Sequence, residues 1–147
     1  VKYFMLLPSV KDVGTPYDDI HWAAVLKSVS GFEMYRKKYG RITPKHVVEF
    51  LVMDRDFPRA IRYCLSEANE SMHRITGSPW DSFRFRSEQL MGQLEGELNF
   101  SSVEDILRNG LHEYLDSLQQ KMNNVDAQLR ADFMNAVYQT QSQRQSA

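Results

Sequence analysis

The stretch FLVMDRDFPRAIRYCL, residues 50–65, decides how the chain is read. An apolar run stops at Asp54-Arg55-Asp56, a proline follows at 58, and apolar residues then resume at helical spacing. The last carbonyls of one helix and the first amides of the next lack partners within their helices, so a junction between helices calls for polar side chains. The triplet therefore reads as a corner. Asp56 is expected to cap the following helix, with Pro58 in its first turn. The other reading is a charge cluster that binds a ligand.

Working outward, the same punctuation recurs upstream. Thr43-Pro44 opens a short helix whose Val47, Val48, Phe50, Leu51 and Val52 make it largely buried. Before it, Pro8 to Pro16 with Gly14 reads as a loop, and Thr15-Pro16 as an N-cap with proline at the first helical position. Asp18 and Asp19 suit that first turn. Trp22, Val25, Leu26, Val29 and Phe32 then keep helical spacing, with Met34 or Tyr35 to follow. The spacing predicts one helix that ends at Gly40 after Arg36-Lys37-Lys38, cations that complement a helix C-terminus.

Downstream, Ile61, Cys64, Leu65, Ala68, Met72 and Ile75 lie on one helical stripe, and Gly77 stops it. Ser78-Pro79-Trp80 leads into a fourth helix through Phe83, Leu90, Leu94 and Leu98, with Gly92 and Gly96 permitting close packing. Ser101 and Glu104 form an expected capping box. A last helix runs through Leu107, Leu111, Tyr114, Leu118, Met122, Val125, Leu129 and Phe133 to about residue 138, leaving a polar tail over 139–147. No strand pattern competes after residue 10. The expected fold is all-α, a bundle of about five helices with short connections in a single domain over 1–138.

Bulk properties agree. A chain of 147 residues is of single-domain size and can bury a real core. Its 18 basic and 19 acidic residues nearly cancel, which removes any global attraction for nucleic acid or anionic lipid. No apolar run reaches the ~20 residues of a membrane span. The lone Cys64 can form no intramolecular disulfide, which suits a reducing cytoplasm.

The block LLPSVKDVGTPYDDIHWAAVLKSVSGFEMYRKKYGRITPKHVVEFLVMDRDFPRAIRYCL, followed by GLHEYLDSLQ at residues 110–119, resembles the alpha-E family of bacterial all-helical proteins of unknown molecular function. The similarity extends to about residue 134. Members are typically about twice as long and carry a Glu-Arg motif near their N-terminus. The chain has no such segment and begins with Val, so it is expected to be the C-terminal half of a longer alpha-E protein, and no residue here inherits the motif's role. Family members commonly accompany ATP-grasp ligase-like and transglutaminase-like proteins, which implies a helper role in peptide modification. A missing half would leave apolar faces to cover. A homo-oligomer is one expected solution, with the YFMLL segment at 3–7 as a candidate for such a contact or for disorder.

Each candidate chemical group also has a plainer structural reading. The four histidines, His21, His46, His73 and His112, show no helical zinc spacing, and His112-Glu113 lacks the second histidine of HExxH. Glu70-Ser71-Met72-His73 has the Glu-x-x-His form of di-iron bundles but occurs once where two are needed. No metal or other cofactor is expected. Cys64, on the apolar stripe, reads as a buried inert thiol. No nucleophile elbow or phosphate-binding glycine loop is present, so catalytic residues are unknown.

Two clusters remain. Arg55, Arg59 and Arg62 surround the corner, and Arg59 and Arg62, one turn apart, are candidates to share an anion. Corner salt bridges with Asp54, Asp56 or Glu49 are the plainer reading and are preferred. Arg36, Lys37, Lys38 and Arg41, with aromatics between them, form a candidate basic patch that could act with Phe83-Arg84-Phe85-Arg86. A cationic helix end explains the first run as well. Trp22 reads as core. The sequence thus favours a non-catalytic interaction or scaffold domain beside an ATP-grasp-like or transglutaminase-like partner. The alternatives are an enzyme completed by the missing half, with Arg59, Arg62 or His112 contributing, and a phosphate- or nucleic-acid-binding module.

Overall fold

The computed structural model describes the backbone from residue 16 to 145 and the side chains from 19 to 134. The Thr15 cap and the YFMLL segment lie outside the described residues. Among those described, the chain forms seven α-helices and one π-helical turn, with no strand. The helices are α1 Pro16–Ser28, α2 Phe32–Tyr39, α3 Pro44–Val48, α4 Ile61–Thr76, α5 Arg86–Phe100, α6 Val103–Asn109 and α7 Leu111–Gln145. The π-helical turn Glu49–Met53 continues α3. The all-α class is as expected. The count exceeds five because two expected helices are each broken once.

The first break follows Ser28. Ser30 adopts φ 54°, its N–H bonds the Lys27 carbonyl at 2.9 Å, and the Gly31 N–H reaches back to Leu26 at 2.8 Å. This pair of bonds is a Schellman motif, which ends a helix through one left-handed residue. Gly31 then has to be small, because a Cβ there would lie 2.8 Å from the Phe57 ring and 3.0 Å from Phe50. The second break is Gly110, at φ 97°, which divides the expected last helix into α6 and α7. Beyond it α7 continues to Gln145, past the expected end near 138.

The chain divides into two compact units. The first comprises Val1–Cys64 and Phe100–Asp116. At its centre lie α3 and the π-helical turn, with α3 packed against α1 and α6. Val47, Val48, Phe50, Leu51 and Val52 are all buried. Five apolar residues within six positions cannot share one helix face, so this segment is covered all round. Trp22, Val25 and Leu26 of α1, Tyr35 of α2 and Ile106 of α6 are buried in the same unit. An aromatic ladder runs through it: Tyr35 stacks on Tyr39 at 5.1 Å, Tyr39 on His46 at 4.8 Å, and Phe50 on Phe57 at 4.5 Å. The Tyr35 hydroxyl donates to the Arg41 carbonyl at 2.9 Å and accepts the Thr43 N–H at 3.3 Å, tying the end of α2 to the start of α3. Thr43 caps α3 as expected, accepting the His46 N–H.

The second unit comprises Leu65–Asn99 and Ser117–Ala147. Its buried apolar side chains are Leu65, Met72, Met91, Leu94, Leu98, Leu118 and Val125. The buried face of α4 differs from the expected stripe. Cys64 and Ile75 are exposed, and the buried face runs through Leu65, Asn69, Met72 and His73. The expected fourth helix also starts later. Residues 77–85 form a loop, and α5 begins at Arg86.

The start of α5 shows how that loop is fixed. Glu88, the third residue of the helix, is fully buried and accepts the N–H groups of Arg84 at 2.6 Å and Phe85 at 3.1 Å. This is half of a capping box. Phe85 has no side-chain oxygen for the other half, and Asp132 of α7 accepts the Ser87 N–H at 2.9 Å instead. Burial alone would raise the Glu88 pKa. The nearby Thr76 and Ser78 side chains and the two amides outweigh it and bring the carboxyl down to about 2; of these, the two amides are the hydrogen bonds that the geometry shows. At the loop's other end, His73 Nδ1 donates to the Ser78 carbonyl at 3.0 Å, and Trp80 lies against the His73 ring at 4.3 Å.

Candidate functional site

The Asp54-Arg55-Asp56 corner is both structural and part of a cleft. Asp54, not Asp56, organises the turn. Its Oδ1 accepts the N–H groups of Asp56 at 2.8 Å and Phe57 at 2.9 Å, and its Oδ2 accepts from Lys38 Nζ at 2.6 Å. Pro58 precedes the helix, because Phe57 to Ala60 form a separate turn before α4 starts at Ile61. Burial raises the Asp54 pKa, but the Lys38 ammonium and the two amides reverse that and hold it below the usual carboxylate range. Lys38 is raised in turn, chiefly by its bond to Asp54.

Beside this corner lies a cleft of about 460 Å³, wholly within the first unit. Lys38, Lys45, Arg55 and Arg62 bring four cations to it, and Glu49, Asp54, Asp56 and Glu104 bring four carboxylates. Tyr39, Met53, Ser101, Ser102 and Val103 complete the lining. Two of the charge pairs close on themselves: Lys38 with Asp54 at 2.6 Å and Lys45 with Glu104 at 2.5 Å. The second pair is half exposed, so solvent screens it and it adds little to stability. It draws Glu104 away from its expected capping role. Ser102 caps α6 instead, one residue later than expected, accepting the Asp105 N–H at 3.1 Å.

The expected arginine cluster is thus partly assembled. Arg55 and Arg62 line the cleft. Arg59 does not, since its Nη1 donates to the Val29 carbonyl at 2.9 Å and ties the corner to the end of α1. Arg59 and Arg62 share no helical turn, because α4 begins at Ile61. Of the basic patch only Lys38 reaches the cleft. Arg36 lies 5.8 Å from the Phe32 ring, and Lys37 and Arg41 are exposed away from it. His112 pairs with Asp116 at 3.1 Å and is not part of the lining. Sequence reasoning missed Lys45 and Glu104, which only the packing of α3 on α6 brings together.

Among the described residues, no three His, Cys, Asp or Glu side chains come together as a metal set, and no helix is long and apolar enough to cross a membrane. Trp22 is core, as its spacing implied.

No curated protein and no solved structure matches the chain. One family does. Alpha-E, described as a predicted alpha-helical domain with a conserved ER motif, matches residues 1–134 of the 147. The sequence contains no Glu-Arg dipeptide, so the motif in the family's description has no counterpart in these residues. With its all-α architecture and a match over nearly its whole length, the chain belongs to the Alpha-E family.

Proposed function

We propose that the chain is a helical interaction domain, a partner or scaffold in a bacterial, cytoplasmic peptide-modification system that works beside an ATP-grasp-like or transglutaminase-like protein. The observation that carries this reading is the loop 77–85. It holds Trp80 at 65% and Phe83 at 50% exposure. Its base is fixed by the buried His73 and Glu88 bonds. Aromatic side chains on a pre-ordered loop lose little freedom when they dock, and tryptophan is prominent among interface anchors. Arg84 and Arg86 follow directly in sequence and are exposed, which favours an acidic surface on the partner. The partner class comes from the company that Alpha-E proteins keep.

The test mixes the purified chain with the ATP-grasp-like or transglutaminase-like protein of the same genome, and measures association by size-exclusion chromatography and calorimetry. Coelution is expected. Trp80→Ala should weaken binding by at least about tenfold while the helical circular dichroism signal stays unchanged. Failure to associate with either protein would overturn the reading. A second reading, an active centre completed by residues outside this chain, is favoured by Arg55 and Arg62 lining one cleft. It expects Arg62→Ala to abolish activity of the complete protein without unfolding it.

A further inference from the structure

The cleft of the first unit carries both signs of charge, but its groups differ in how much bonding capacity is already used. Asp54 already accepts three hydrogen bonds, from Lys38 and two backbone amides. Arg55 is the opposite case. Its guanidinium has five N–H donors, and among the described residues it makes no hydrogen bond or ion pair. The half-buried Glu49 and the exposed Asp56 likewise accept no hydrogen bond on their carboxylates among the described residues. One planar cation and two carboxylates therefore line a space of about 460 Å³ with their capacity unspent. That volume lies in the range of small-ligand sites.

We propose that this cleft binds a small zwitterion, an amino acid or a short peptide with free ends. Arg55 takes the carboxylate through its fork, and Glu49 and Asp56 take the ammonium. The argument is one of charge matching. A simple anion such as phosphate gains Arg55 and the neighbouring cations but faces the Glu49 and Asp56 carboxylates. A simple cation meets the reverse difficulty with Arg55, Arg62 and Lys38. A ligand that carries both signs at once satisfies the set with no net charge transferred. The fork geometry of arginine also suits a carboxylate, which can accept two parallel bonds. The proposal rests on the cleft and not on the aromatic loop, so either can fail without the other.

The experiment is calorimetric or NMR titration of the chain with trialanine, N-acetyl-trialanine, trialanine amide and inorganic phosphate. Trialanine with free ends is expected to bind with a Kd of about 1 mM or tighter. Capping either end should weaken it by at least about tenfold, the effect of losing a charge-assisted hydrogen bond. Arg55→Ala should abolish the penalty of C-terminal amidation and leave that of acetylation. Asp56→Asn and Glu49→Gln should do the converse. Arg55 and Asp56 are exposed, so these two variants keep the fold and the test does not depend on Glu49. The proposal is overturned if trialanine does not bind, if phosphate binds as tightly, or if Arg55→Ala leaves the amidation penalty unchanged.

Discussion

Glu88→Gln is expected to destabilise the second unit in a way that disappears in acid. The carboxylate is fully buried and accepts two backbone amides at the start of α5. Its pKa falls from an ordinary 4.5 to about 2. A group whose pKa is depressed on folding stabilises the fold above its unfolded pKa and loses that stabilisation as pH falls through the folded value. From these two values the charged form is worth at most about 3 kcal/mol at neutral pH. Glutamine keeps the shape and one acceptor oxygen but not the charge. The variant should therefore be weaker by about 2–3 kcal/mol at neutral pH, a large share of a typical domain's stability. The gap should shrink between pH 4.5 and about 2. Urea unfolding at several pH values, followed by Trp80 fluorescence, measures this. Trp22, the other tryptophan, belongs to the first unit, and a Trp22→Phe background isolates the signal. Other carboxylates titrate in both proteins and cancel in the difference. A gap that is the same at neutral and acid pH would refute the reasoning, as would one below about 0.5 kcal/mol at neutral pH.

Further outcomes follow from the same geometry. Ser30→Gly should stabilise the chain by roughly 0.5–1 kcal/mol in thermal or urea unfolding, because glycine takes the left-handed conformation without strain. Gly31→Ala should destabilise it by about 1–3 kcal/mol, since the new methyl meets the rings of Phe57 and Phe50. Asp54→Ala should cost about 2–4 kcal/mol at neutral pH by freeing two amides and Lys38, and the loss should fade as pH drops below the usual carboxylate range. Cys64 should react stoichiometrically with a thiol reagent in the native protein, because it is exposed.

The fold class was legible because the chain states its helix starts and stops in local chemistry. Thr43-Pro44 and Gly40 act as their sequence implied. The two breaks within expected helices were hidden for one reason. The apolar spacing of Val25, Val29 and Phe32 carries on across Ser30-Gly31, and that of Leu107, Leu111 and Tyr114 carries on across Gly110. Periodicity therefore continued where the backbone did not. Cys64 and Ile75 fit the apolar stripe, yet polar Asn69 and His73 take the buried places through bonds to Glu95 and the Ser78 carbonyl. No residue pattern near Glu88 advertises its burial, because half of its capping arrangement comes from Asp132 of another helix. At the site, the corner arginines were visible as a group. Arg59 was misplaced because α4 starts at Ile61, after it.

The interleaving of the two units has a consequence for synthesis. The first unit needs residues from 100 to 116 to complete its core, and the second needs α7 beyond 117. On the ribosome, then, α1 to α3 must wait with Val103, Ile106 and Leu115 still missing while the intervening helices emerge. Each unit closes over a long excursion of chain, which costs entropy that local contacts cannot return early. A nascent chain stalled before residue 100 therefore lacks part of both cores and should be an easy target for chaperones and proteases.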